Sequence, residues 1–384
     1  MNEPSPSSRN RPSGSPHRLP EIVIDLEKLR HINCGLGRFS LYLGQQLLQL
    51  SEDTFRPTLL LPDGAERHFP QSMGRPYGVI PVKPWRKEKF QRWTRPILRT
   101  FSSQRPNLWH VTNQASKYLP IDPSVPVVLT IHDLYFLYTD KSPKRISRKL
   151  NDIQQRVNRC SAIVTDSQYV ADDLARNINL GRRPVHVVPL GMSPMPSKAR
   201  QRPAWLPEGR FAFSIGNFLP HKNFHTLVKM VRHLPDLNLV IAGKNETPYG
   251  EQVTDLVSTE GVGDRVFLPG MVTDEDRQWL YEECDVFLFP SLTEGFGFPV
   301  LEAMQCRKPV VMSRLTSLPE IAGDHGFYFD SFEEKEMAVA VEQAMNSFDK
   351  DPDAGVRVQA HAGTYTWQAT AQGYLKVYAE MLGL

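Results

Sequence analysis

The stretch SLTEGFGFPVLEAM, residues Ser291–Met304, follows directly on the short apolar run Val286–Phe289. That run is bounded by Asp285 and Pro290, as a buried parallel strand tends to be. Pro299 carries a φ suited to the first turn of a helix, and Val300 to Met304 are good continuations. Gly295 and Gly297 stand just before that turn, where they let backbone approach a ligand and present amide N–H groups at a helix N-terminus. Glu294 falls in the loop, and Glu302 falls in the first helical turns eight positions later. A loop carboxylate and a helix carboxylate so placed can accept charge-assisted hydrogen bonds from sugar hydroxyls. Strand, glycine loop and helix in that order are the unit of a doubly wound α/β sheet, which binds ligands at the carboxyl ends of its strands.

The same rhythm runs through the chain. Strand-like runs fall at Ile22–Leu26, Thr58–Leu61, Leu108–Thr112, Val127–His132, Ala162–Thr165 and Val185–Pro189, with helical patterns such as Gly37–Gln49 and Lys144–Arg159 between them. Leu190–Pro207 holds four prolines and little period, and reads as a linker. The alternation then restarts with strands at Phe211–Ile215, Asn238–Ala242, Val266–Leu268, Val286–Phe289 and Val310–Met312. Helices fit at Asn223–His233, Asp274–Glu283, Pro299–Gln305 and Trp367–Leu382. The division expected is a disordered tail over 1–20, a first doubly wound domain over 21–190, a linker over 191–207, a second doubly wound domain over 208–366, and a terminal helix over 367–384 packing back on the first domain. The cleft between the halves is the default ligand site.

A second segment, SIGNFLPHKNFHTLV (Ser214–Val228), carries a strand into Gly216 and then opens a helix at Lys222–Asn223. An ammonium beside a helix N-terminus suits a diphosphate. Together the two segments resemble the retaining GT-B glycosyltransferases of family 4, also called group 1. Glu294 and Glu302 match the two glutamates of that family's E-x7-E signature. The resemblance implies that Glu294 contacts hydroxyls of the donor sugar, that Glu302 holds the nucleotide ribose, and that Gly295, Phe296 and Gly297 form the loop whose amides face sugar and phosphate. Gly216, Pro220, Lys222 and Asn223 match the family's phosphate-binding segment. His221 stands where Arg is common, and Asn217 where members carry Arg just after the glycine, so Lys222 is the one full positive charge this loop offers.

In the first half, HINCGLGRFSLYLGQQLL (His31–Leu48) sets Gly35 and Gly37 before a helix. The full GxGxxG dinucleotide fingerprint is absent because position 40 is Ser, which disfavours a nicotinamide enzyme. The pattern resembles the family's glycine loop on the diphosphate, although a plain strand-to-helix turn accounts for it almost as well. VVLTIHDLYF (Val127–Phe136) ends a strand in His132 and Asp133. The resemblance makes His132 a contact to donor sugar or acceptor. His110 is a weaker candidate of the same kind.

The implied reaction moves a hexose from a nucleotide-diphosphate sugar to a saccharide or lipid-linked acceptor. The first choice of donor is GDP-mannose, from the likeness to O-antigen and capsule mannosyltransferases, with UDP-glucose next. His132, Lys222 and Glu294 are the catalytic candidates, and no cofactor or metal is expected. Asp351–Pro352–Asp353 has the look of a metal-binding Asp-x-Asp but sits in a polar loop. The alternatives are a non-catalytic nucleotide-sugar-binding scaffold and an epimerase on the same fold.

Bulk composition excludes little but is consistent. A net charge of +3 over 384 residues does not indicate a nucleic-acid binder. Cys34, Cys160, Cys284 and Cys306 are dispersed, fitting a reducing cytoplasmic setting. No apolar run reaches the roughly 20 residues that span a bilayer, and the first residues lack a signal-peptide core. Lys83–Arg99 mixes basic residues with Trp85, Phe90 and Trp93, which suits an anionic membrane surface on the cytoplasmic face and equally a solvated basic face.

Overall fold

The computed structural model describes residues 19–32, 34–50, 54–70, 74–84, 87, 105–192 and 202–384. Most of the expected tail, residues 193–201 of the expected linker, and nearly all of the Lys83–Arg99 patch lie outside them.

The first sheet holds β1 (Glu21–Asp25), β2 (Arg56–Leu61), β3 (Gly78–Pro81), β4 (Leu108–Val111), β5 (Val127–Ile131), β6 (Ala162–Thr165) and β7 (Val185–Val187). Its order is β3-β2-β1-β4-β5-β6-β7, with every pairing parallel. The second holds β8 (Phe211–Ile215), β9 (Asn238–Ala242), β10 (Val266–Gly270), β11 (Val286–Phe289), β12 (Val310–Ser313) and β13 (Phe327–Phe329). Its order is β10-β9-β8-β11-β12-β13, again all parallel. Each sheet therefore reverses its winding once, between β1 and β4 in the first and between β8 and β11 in the second. These are the switch points where an open α/β sheet leaves a crevice.

Both faces of each sheet are covered, which is why the strands read as continuous apolar runs. In β1, Ile22 and Ile24 enter one apolar cluster and Val23 another. In β11, Phe287 and Phe289 face one way while Val286 and Leu288 face the other. The sequence reading passed over the edge strands β3 and β13. They are only four and three residues long, and of their residues Phe329 alone is buried, so each is too short to show a strand period.

The terminal helix Trp367–Leu382 belongs spatially to the first domain. The Tyr378 hydroxyl lies 2.7 Å from His110 Nδ1, the Tyr374 hydroxyl 2.9 Å from Thr130 Oγ1, and Trp367 stacks on Tyr42. One apolar cluster is continuous from β1 through Trp367, Tyr374 and Tyr378 into the second domain. Among the described residues, no helix is long and apolar enough to cross a membrane.

Candidate functional site

The loop after β11 is built to a fixed shape. Gly297, at φ 121°, caps the helix Phe298–Gln305, with a proline in its first turn. Thr316 Oγ1 accepts the Glu294 N–H at 3.1 Å, and Ser317 Oγ lies 3.1 Å from the Glu294 carbonyl and 2.8 Å from that of Phe296. The Phe296 side chain is buried, edge-on to Phe298 and Tyr365. Its aromatic ring therefore serves the core, and only its backbone belongs to the loop. Gly295 is needed for close approach, because a Cβ there would stand 2.5 Å from the His132 carbonyl oxygen of the other domain.

Glu294 is held by two side chains. Lys222 Nζ sits 2.5 Å from its Oε1, and Ser291 Oγ donates to the same oxygen at 2.6 Å. The lysine comes from a one-turn 3-10 segment, Pro220–Lys222, and its ammonium lies 5.0 Å from the Phe289 ring centre. Asn223 adopts a left-handed conformation, φ 59°, between that turn and the helix Phe224–Met230, so the helix expected from Asn223 onward begins one residue later. Glu302 lies one turn into its helix, and its Oε2 accepts from the buried Tyr281 hydroxyl at 2.8 Å.

A cavity of about 350 Å³ opens beside this pair, lined from both domains. The second domain contributes Gly216, Asn217, Lys222 and Glu302 to its wall, and the first contributes Gly35. Five candidates from the sequence thus meet at one surface. Gly35 and Gly37 lie inside the first turn of the helix Gly35–Gln49 rather than ahead of it. Gly37 is buried there, where a Cβ would run into the His31 carbonyl.

Two cations in the cavity wall escaped sequence reasoning, Arg38 and Arg277. Arg38 was in view, one residue past Gly37 at a helix start. Arg277 lies in the acidic helix Asp274–Glu283, and nothing local marks it. Lys222 is therefore not the cavity's sole cation.

His132 does not line this cavity. Its Nδ1 lies 2.6 Å from Asp166 Oδ2, its Nε2 lies 2.9 Å from the Thr112 carbonyl, and its ring packs edge-on against Phe39. Burial pulls its pKa down, but Asp166 and the Thr112 carbonyl outweigh that and hold it above the ordinary histidine value. Both ring nitrogens are engaged inside the first domain, and what faces Gly295 in the loop after β11 is the His132 carbonyl and the Asp133 Cβ. His110 is fully buried between Thr130 and Tyr378, and burial lowers its pKa to about 3, so it is a neutral core residue. Asp351 pairs with Arg357, away from the cavity.

Two parallel-sheet domains, each with a switch point and sharing one cavity, make the GT-B architecture. The solved structures agree on the fold. Anabaena HepE in complex with UDP and glucose has a TM-score of 0.66 at 18% identity, covering 94% of this chain and 100% of that one. A glycosyltransferase from Rickettsia africae scores 0.68 at 14%, covering 95% and 99%. Residues 35–194 match the family described as Glycosyltransferase Family 4, and residues 197–355 match Glycosyl transferases group 1. The chain belongs to this glycosyltransferase family and is an enzyme of that class. Among its relatives, O-antigen chain mannosyltransferase B of Escherichia coli is 27% identical over 65% of this chain and 69% of that protein. O-antigen chain mannosyltransferase RfbU of Salmonella typhimurium is 24% identical over 64% and 67%. The serotype-specific mannosyltransferase WbdA of E. coli is 30% identical over 45% of this chain, which spans only 22% of that longer protein.

Proposed function

We propose that this enzyme transfers a hexose, with retention of anomeric configuration, from a nucleotide-diphosphate donor to a saccharide or lipid-linked acceptor of a cell-surface polysaccharide. The observation that carries the proposal is the shared cavity: a helix N-terminus with Gly35 and Arg38 faces Lys222, Arg277 and Glu302 across it, beside the Lys222–Glu294 ion pair. A diphosphate matches such a set, because two negatively charged groups meet cations from both domains together with helix-start amides.

In this reading the Glu302 carboxylate, oriented by Tyr281, accepts hydrogen bonds from the ribose hydroxyls. Glu294 accepts from hydroxyls of the donor sugar, and the 295–297 loop presents its amides to sugar and phosphate, the Glu294 N–H being taken by Thr316. As the anomeric C–O bond lengthens, negative charge grows on the leaving diphosphate oxygen. Lys222, Arg38 and Arg277 stabilise it in a field already in place. The acceptor hydroxyl attacks from the face of the departing diphosphate, which takes its proton, so no protein nucleophile is needed. His132 shapes the acceptor side through its backbone and its buried bond to Asp166. GDP-mannose is the first donor to test, because the O-antigen relatives are mannosyltransferases.

A cytoplasmic enzyme on the inner face of a membrane would meet such acceptors. In the described part of the chain, the helix Pro143–Arg159 carries basic residues for an anionic surface. A thermal-shift screen of GDP-mannose, UDP-glucose and the free nucleotides tests the donor, since a ligand at 100 times its dissociation constant stabilises the fold by about 2.7 kcal/mol. No shift with any nucleotide sugar, or an equal shift after Lys222→Ala with Glu302→Ala, would overturn the reading.

A further inference from the structure

The turn that straps the donor loop also reaches the other domain. Thr316 and Ser317 bind the backbone of Glu294 and Phe296. Three residues on, in the short helix Leu318–Ala322, Glu320 extends its carboxylate across the interface. Its Oε1 accepts the Gln168 N–H at 2.8 Å and its Oε2 the Tyr169 N–H at 3.2 Å. These are the first two amides of the helix Gln168–Asn177 in the first domain, which has no intrahelical acceptor for them. The next amide, of Val170, goes to Ser167 Oγ, the cap of the same helix. Ser167 Oγ in turn donates to the Gly295 carbonyl in the donor loop at 3.0 Å. A carboxylate at a helix N-terminus is favoured both by these hydrogen bonds and by the helix dipole.

We infer that Glu320 is a positioning residue that holds the two domains closed over the donor loop. This rests on the transfer reading above and adds how the two half-sites come to face one ligand. The cavity needs Gly35 and Arg38 from one domain and Lys222, Arg277 and Glu302 from the other. A carboxylate that bridges the domains while its own turn grips residues 294–296 makes closure and loop shape one event. When Glu320 lets go, two helix-start amides lose their partner and the Gly295–His132 approach loosens, while each domain keeps its core. The bond is exposed to solvent, so salt weakens it and ligand-linked opening stays possible.

The test uses the full chain with Glu320→Ala and Glu320→Gln. Hydrogen exchange on the ligand-free protein should show faster exchange at Gln168 and Tyr169 in the Ala variant. The Gln variant should be intermediate, because its single side-chain carbonyl can still accept one amide. Small-angle scattering should show a larger radius of gyration for the Ala variant, and high salt should move wild type toward it. Affinity for GDP or UDP should change by less than about threefold, while turnover of GDP-mannose or UDP-glucose, whichever wild type uses, should fall about three- to tenfold. Unchanged exchange and scattering in the Ala variant overturn the inference. So does a collapse of nucleotide affinity with general loss of protection across the second domain, which would make Glu320 a fold residue. Neither result bears on the transfer reading, which stands or falls on the Lys222 and Glu302 variants.

Discussion

Lys222 and Glu294 lie 72 positions apart in the chain, and their charged atoms lie 2.5 Å apart in the fold. The lysine arrives on the loop after β8 and the glutamate on the loop after β11, the two strands that flank the second sheet's switch point. On the proposed reading the cation serves phosphate and the anion serves sugar hydroxyls, so their replacements should have different consequences.

Lys222→Ala should weaken GDP or UDP binding at least about tenfold, as loss of a charge-assisted phosphate contact does. Glu294→Gln should leave free-nucleotide affinity nearly intact and lower kcat/KM by about 100-fold or more, because the proposed function assigns its contacts to the transferred sugar. Calorimetry with nucleotide and steady-state transfer rates separate the two. Equal effects on both measurements would remove the assigned division of labour.

Tyr281→Phe tests whether orientation of Glu302 matters. The hydroxyl is buried and donates to Glu302 at 2.8 Å, so removing it should cost about 1 kcal/mol of stability. Donor KM should rise several-fold with little change in kcat. A KM equal to wild type would show that Glu302 finds its position unaided.

Gly295→Ala places a methyl group 2.5 Å from the His132 carbonyl, and the obstacle is backbone, which cannot swing aside. The domains should fail to close fully, with transfer reduced about 100-fold and nucleotide binding retained, an effect of misplacing reacting groups by a fraction of an ångström to an ångström. Scattering and transfer assays on the variant check this directly.

Asp25 offers a pH test. It is fully buried at the end of β1, hydrogen-bonded by Ser116 and the Glu27 N–H, and burial pushes its carboxyl up to about 7. The unfolded chain releases this proton near the ordinary aspartate value while the folded chain keeps it. Stability from this group is therefore complete below about pH 4 and is lost as pH rises toward 7, by an order of 4 kcal/mol. Asp25→Asn should flatten that part of the stability curve in denaturant titrations between pH 4 and 8. An unchanged slope would contradict the raised value.

The central strands were legible because a parallel strand buried on both faces must be apolar along its whole length. Phe211–Ile215 and Val286–Phe289 accordingly have the bounds read from sequence. The segment Glu294–Glu302 was legible because strand, glycine loop and proline-started helix are local events, each governed by neighbouring residues. The pairing of Lys222 with Glu294, the arrival of Arg38 and Arg277 at one cavity, and the inward turn of His132 toward Asp166 were not. Each depends on where separate strands deliver their loops. Residue order along the chain therefore determined a two-domain α/β enzyme and the strand–glycine loop–helix unit at 286–305, since backbone sterics and burial act within a few residues. Only the tertiary structure decided which charges face each other, which histidine nitrogens are already spent, and where Glu320 bridges the domains, because electrostatics and hydrogen bonding depend on distance in space.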